Sequence, residues 1–278
     1  MTITNAYQSL SSVLEPMYGA REGNIMARYL VEDLFSRQFY SEDQLSEDEV
    51  SRLDDALRRL KLYEPWQYVG GIADFYGLRF RVDPSVLIPR PETEELVYKA
   101  LSDIHSHSLK SVLDIGTGSG IIGVTVKVKA PEVSVFAVDI STAALAVARK
   151  NAQALQTELE FVCADFLDES RWFLLPKVDL VVSNPPYIDA TEMKDMDANV
   201  LDFEPHLALF TRTHPLEFYK AIATFVIAHQ TSGCRILVEI SEFRGEEVME
   251  VFADLGLTEI HIFSDLQGKD RIVSAVRP

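Results

Sequence analysis

Two cysteines, Cys163 and Cys234, in 278 residues are too few for a disulfide framework or a cysteine-based zinc site. Both fall in strand-like runs, which suits reduced core residues. No eighteen-residue apolar run occurs, and residues 1–12 lack the cationic and then apolar regions of a secretory leader, so neither membrane spanning nor export is expected. A cytoplasmic protein is the expectation. Basic charge is scarce as well: 26 Lys and Arg stand against 43 Asp and Glu, a net charge of −17. Such a chain repels phosphate backbones unless a basic patch intervenes. The longest basic cluster, Arg58-Arg59-Leu60-Lys61, closes a helical pattern, where cations suit the C-terminal dipole. Histidines are few, and the closest pair, His105 and His107, is read as a surface loop with no metal site. What is present is ordinary globular material, 47% hydrophobic and 25% charged, enough for two domains of about 100 to 200 residues each or one large one.

Residues 1 to about 63 show helical periodicity only, and the helical domain is placed at residues 1–70. Leu10, Val13, Leu14 and Met17 recur on one face, as do Ile25 and Tyr29, then Met26, Leu30 and Leu34. Ser46 followed by Glu49 is a capping box ahead of Val50, Leu53, Leu57 and Leu60. A small helical bundle is predicted. Residues 71–90 form a connector, with a hairpin turning at Gly77. Pro91, followed by Glu92, Glu94 and Glu95, opens a helix through about Ser102.

Residues 91–278 make the second domain, where strand and helix alternate from Ser111 onward. Strands are predicted at 111–115, 133–139, 159–163, 178–183 and 235–240, and helices at 121–129, 141–154, 215–230 and 245–255. The pattern implies a parallel α/β sheet covered on both faces. Two last strands, 257–263 and 271–276, are joined by a loop too short for a crossover helix, so they must pair antiparallel.

Chemistry concentrates at strand ends. The run Asp114-Ile115-Gly116-Thr117-Gly118-Ser119-Gly120 carries an apolar strand into a glycine-rich turn and then a helix. Glycines permit positive φ and close approach, and the helix start offers free N–H groups to a nucleotide-like ligand. This spacing alone fits either a nicotinamide cofactor or S-adenosylmethionine (SAM). Asp139 ends the second strand, where a carboxylate accepts hydrogen bonds from ribose hydroxyls. Asp165 and Phe166 end the third, suited to an adenine amino group and to stacking on the base, although solvation of Asp165 weighs about evenly. The acidic pair Asp195 and Asp197 is read as solvated, with contact to a basic substrate loop as the lesser alternative.

The most specific string is Asn184-Pro185-Pro186-Tyr187, whose odds of arising by chance are roughly one in a thousand. Prolines lack N–H groups and hold the preceding residue extended, which leaves the carbonyls of Asn184 and Pro185 without ladder partners. With the Asn184 side-chain oxygen they form acceptors for a planar NH₂ group, and Tyr187 packs on its flat face.

The glycine turn, Asp139 and Asn184-Pro185-Pro186-Tyr187 resemble a class I SAM-dependent methyltransferase acting on a planar amide or amino nitrogen. The strings Leu87-Ile88-Pro89-Arg90-Pro91-Glu92-Thr93-Glu94, Glu64-Pro65-Trp66-Gln67-Tyr68, Asp202-Phe203-Glu204-Pro205-His206-Leu207-Ala208-Leu209 and Asp265-Leu266-Gln267-Gly268-Lys269-Asp270-Arg271 are similar to those of the release factor glutamine methyltransferases. The likeness runs from about residue 64 to the C-terminus. It departs from the family at Phe210-Thr211-Arg212-Thr213-His214-Pro215, where a glycine-rich stretch is common, and at Phe166, where a tryptophan is usual.

The resemblance implies a Rossmann-like sheet with a small N-terminal helical domain that docks the substrate. It implies methyl transfer from SAM, leaving S-adenosylhomocysteine, to the glutamine amide nitrogen in the Gly-Gly-Gln motif of peptide chain release factors. Asp114, Gly116, Thr117, Gly118, Ser119, Gly120, Asp139, Asp165, Phe166 and Asn184 then hold the cofactor, and Asn184, Pro185, Pro186 and Tyr187 take the substrate, with Asn184, Pro185 and Tyr187 catalytic. The expected partner is a release factor, with no duplex nucleic acid or membrane, and the chain acts as a monomer. Two alternatives stay open: an adenine-specific DNA methyltransferase, against which the charge of −17 argues, and a non-catalytic SAM-binding module.

Overall fold

Helix α1 (Ile3–Tyr18) begins at Thr2, whose side chain caps Asn5 while the Asn5 side chain caps Thr2 in return. In the computed structural model, every residue except Leu266 is described, and of Ala190, Glu192 and Asp195 only the backbone. The quoted Leu266 and the side chain of Asp195 therefore lie outside the described residues. Helices α2 (Ala20–Phe35), α3 (Glu47–Leu60) and α4 (Trp66–Gly70) follow. The chain divides into two compact units, the first built from residues 1–73, 82–84 and 197–203.

In that first unit α1 and α2 approach closely at Gly23, where a Cβ would stand 2.7 Å from the Glu15 backbone nitrogen. Leu10, Leu14, Leu30, Leu53 and Leu60 are buried in its core. The Ser46–Glu49 capping box forms at the start of α3, with Ser46 N donating to Glu49 Oε2 at 2.8 Å. One expected stripe does not become core. Ile25 and Tyr29 are exposed, because the neighbouring stripe through Leu30 already faces the bundle, and Tyr29 instead stacks on Trp66 at 5.9 Å.

The hairpin of β1 (Ile72–Phe75) and β2 (Leu78–Arg81) turns through Tyr76 and Gly77, both at positive φ, the conformation whose twist matches paired strands. Next come α5 (Thr93–His107), β3 (Ser111–Ile115), α6 (Ile121–Lys129), β4 (Ser134–Asp139), α7 (Thr142–Ala154), β5 (Glu160–Cys163) and β6 (Leu180–Ser183). After short helices α8 (Ala198–Phe203) and α9 (His206–Leu209) follow α10 (Glu217–His229), β7 (Arg235–Glu239), α11 (Gly245–Asp254), β8 (Thr258–Ser264) and β9 (Asp270–Val276).

The second unit is a seven-stranded sheet in the order β5-β4-β3-β6-β7-β9-β8. Strands β3 to β7 are parallel, and β9 runs antiparallel to both β7 and β8. Apolar residues cover both faces: Leu113, Val181 and Val238 join one cluster, while Val112, Leu180 and Leu237 join the other. This is why the strands read as unbroken apolar runs. The connection from β3 goes to β4 on one side while β6 lies on the other, so the order reverses at β3 and opens a crevice at the strands' carboxyl ends. Register then decides what stands there. Ile115 pairs with Ser183 and with Val138, which brings Gly116, Asn184 and Asp139 to one level.

The predicted strands and long helices lie within a residue or two of those observed, but three expectations change. Cys163 is exposed, since β5 is an edge strand with one neighbour; Cys234 is buried as expected. His105 and His107 sit on the last turn of α5, which runs five residues beyond Ser102 because Ala100 and Ile104 continue its buried stripe. The short helices α8 and α9 carry too little periodicity to be predicted. Among the described residues no helix is long and apolar enough to cross a membrane, and no cluster of side chains could hold a metal ion.

Candidate active site

At the end of β3 the chain turns on Gly116, Gly118 and Gly120, with φ of 70°, 55° and 84°. The N–H groups of Gly116 and Thr117 donate to Val138 O at 2.9 and 3.1 Å, which clamps the turn to β4. Beneath it Asp114 is fully buried. Its Oδ2 accepts from Thr117 Oγ1 at 2.6 Å and from Gly123 N at 3.0 Å, and burial pushes the carboxyl up to about 6. Asn151 Nδ2 donates to Ser119 O at 2.8 Å. Asp114, Thr117, Ser119 and Gly120 thus shape the turn from behind, whereas Gly116 and Gly118 line a cavity of about 250 Å³. A Cβ built on Gly116 meets nothing within 4 Å, and one on Gly118 only Gly116 O at 4.0 Å, so side chains here would occupy the cavity.

Asp139, Asp165, Phe166, Asn184 and Pro186 line the same cavity. Asp139 accepts from Gly118 N at 2.9 Å and from Ser141 N at 2.8 Å, and burial raises its carboxyl above the ordinary value. Both oxygens thus already accept from backbone N–H groups while the side chain lines the cavity. Phe166 is held edge-on to Phe225 at 5.4 Å. Asp165 is engaged already, with Leu167 N at 3.1 Å on Oδ1 and Arg212 Nη1 at 2.7 Å on Oδ2. Arg212 also lines the cavity. A glycine cradle at a helix start, a carboxylate on the neighbouring strand and an aromatic ring fit an adenosyl ligand.

Beyond β6, Ser183 Oγ donates to Ile115 O at 2.7 Å, holding the loop against β3. Asn184 Nδ2 donates to Thr93 Oγ1 at 3.1 Å. Pro185 is buried and Tyr187 packs against the core cluster that includes Tyr219; neither lines the cavity. Burial pushes the Tyr187 hydroxyl up to about 12.

The quoted strings meet one another here. Arg90 Nη2 lies 2.5 Å from Glu204 Oε1, and Ile88 N donates to Glu204 Oε2 at 3.2 Å. Pro205, Leu207 and Ala208 complete the wall. Thr93, Arg212 and Glu239 went unrecognised as site residues. For Glu239 one signal exists, a carboxylate closing the apolar run of β7; Arg212 carries none.

A mostly parallel seven-stranded sheet that reverses at β3 and carries antiparallel β9 between β7 and β8 is the Rossmann-like sheet of the class I methyltransferases. In agreement, a family model described as "Methyltransferase small domain" matches residues 95–201. Solved structures share the fold, among them a methyltransferase from Pyrococcus furiosus (14% identity, 84% of this chain and 99% of that one, TM-score 0.50) and the hMettl16 catalytic domain (16% identity, 84% and 82%, TM-score 0.58). Release factor glutamine methyltransferases of Lactococcus lactis (40% identity over 84% of each chain) and Bacteroides thetaiotaomicron (39%, 84% of this chain and 83% of that one) are far more similar. The chain belongs to the release factor glutamine methyltransferase family.

Proposed function

We propose that this protein methylates the side-chain amide nitrogen of the glutamine in the Gly-Gly-Gln motif of peptide chain release factors, using SAM and leaving S-adenosylhomocysteine. The observation that carries this reading is the shared cavity: Asn184 and Pro186 of the acceptor loop line the same 250 Å³ space as Gly116, Gly118 and Asp139. When bound, SAM supplies an electrophilic methyl group on a sulfonium sulfur. Gly116 and Gly118 give its methionine part room, Asp139 takes the ribose hydroxyls, and Phe166 and Asp165 face the base.

The amide nitrogen is a poor nucleophile, since its lone pair is delocalised into the carbonyl. Asn184 Oδ1, on the cavity wall, accepts one of its N–H bonds, which fixes its direction of attack and favours the positive charge that develops on it. Orientation of this kind supplies up to about 7 to 11 kcal/mol. Asn184 has no basic nitrogen and does not take the proton, which leaves the methylated nitrogen for water after the methyl has transferred. The helical unit of α1–α4 docks the release factor, and the protein acts as a cytoplasmic monomer. A net charge of −17 disfavours duplex DNA as substrate. Incubation with methyl-labelled SAM and, in parallel, a release factor or duplex DNA tests the reading: label is expected on the release factor alone, and label on DNA overturns it.

A further inference from the structure

Thr93 and Glu239 are polar side chains buried to 0% and 4% exposure, and neither lines the cavity. Thr93 opens α5, Glu239 closes β7, and Asn184 follows β6, so three elements remote in sequence converge on one amide. Asn184 Nδ2 donates to Thr93 Oγ1 at 3.1 Å. Glu239 adjoins this pair, the side chains of Thr93 and Asn184 both lowering its carboxyl, and its Oε2 has no partner among the described residues. The backbone holds Glu239 in place, since Tyr219 Oη donates to its carbonyl at 3.0 Å.

Burying a carboxyl group is costly, and packing alone is served better by an apolar side chain. The chemistry of Asn184 accounts for the cost. A carboxamide turned by half a rotation exchanges an acceptor for two donors with almost no change of shape. Turned the wrong way, Asn184 presents N–H groups to a substrate NH₂ group, and donor faces donor.

We propose that Thr93 and Glu239 are positioning residues that take the two Nδ2 hydrogens of Asn184 and thereby hold its Oδ1 toward the cavity. This rests on the reading of Asn184 as acceptor for the substrate amide. The Thr93 hydroxyl accepts one hydrogen from Asn184 and passes its own to Glu239. The carboxyl takes the second amide hydrogen. Glu239 does not touch the cavity, so its action runs entirely through Asn184.

The test compares Thr93→Val, which keeps the shape and loses the hydroxyl, with Thr93→Ser, which keeps the hydroxyl and loses a methyl. Methylation of a release factor is followed as kcat and KM, and SAM affinity and thermal unfolding are measured alongside. Thr93→Val is expected to lower kcat about tenfold with KM for the release factor and SAM affinity little changed, and Thr93→Ser to stay close to wild type. Glu239→Leu, which removes both acceptor oxygens, is expected to lower kcat similarly, and the double variant to be no slower than the slower single one, since both act through one amide. A structural role reverses the order, with Thr93→Ser the poorer enzyme, and that order overturns the proposal, as does a normal kcat in Thr93→Val. Wild-type enzyme in the same assay separates the two readings: no label on the release factor defeats the substrate assignment, whereas label with equal rates in Thr93→Val defeats the positioning role alone.

Discussion

Arg212 Nη1 lies 2.7 Å from Asp165 Oδ2, joining the segment between α9 and α10 to the end of β5, and both side chains line the cavity. The ion pair thus forms part of the cavity wall next to Phe166. Both partners are partly exposed, at 40% and 29%, and such pairs contribute about 1 kcal/mol or less. Arg212→Ala is therefore expected to weaken SAM binding by less than about fivefold. Asp165→Ala, which removes the acceptor itself, is expected to weaken it more. Calorimetric titration of both variants checks the order, and a larger loss in Arg212→Ala makes the guanidinium, not the carboxylate, the ligand of the base.

Asp139 has two tasks, because its oxygens already hold Gly118 N and Ser141 N while facing the cavity. Asp139→Ala loses the ribose acceptors, each charge-assisted bond contributing about 1.5 to 3 kcal/mol, and also releases the glycine turn. SAM affinity is expected to fall at least tenfold by calorimetry. Unchanged affinity removes Asp139 from the cofactor site.

Asn184→Ala is expected to cost about 10² to 10³ in turnover, with a smaller loss of SAM affinity, since the lost acceptor acts as charge develops on the nucleophile. Single-turnover kinetics on a release factor measures this. Tyr187 packs on the core beside Tyr219, so Tyr187→Phe is expected to keep both stability and rate, while Tyr187→Ala loses stability as well as activity. Equal melting temperatures for the two variants contradict the packing role.

Glu239 makes stability depend on pH. Burial raises its carboxyl from 4.5 to about 7, against the smaller lowering effect of its bond to Thr93; Glu92 adds to the rise and Arg271 opposes it. Between those two values the folded chain keeps a proton that the unfolded chain has released, so stability falls as pH rises through the window. Glu239→Gln abolishes this contribution. Relative to wild type the variant is expected to gain about 2 to 3 kcal/mol on going from pH 4.5 to 8. Asp114 and Asp139, raised in the same sense, are common to both proteins and cancel. Urea unfolding across that range gives the difference directly, and parallel curves for the two proteins contradict the shift.

Much of this molecule is written locally. The capping box at Ser46 and Glu49, the strand from Ser111 to Ile115, the helix from Ile121 to Lys129 and the glycine turn between them depend on φ preference, side-chain period and contacts within a few residues. Those signals are short-ranged, so sequence alone determines them. The string Asn184-Pro185-Pro186-Tyr187 belongs here too, because proline fixes its backbone without outside help. Tertiary structure decided the rest. Arg90 meets Glu204 across 114 residues of chain, and Asn184 meets Thr93 across 91. Strand order left Cys163 on an edge and set Asn184 beside Gly116. Which strand ends become neighbours follows from how the helices pack on both faces of the sheet, and no local pattern encodes that choice.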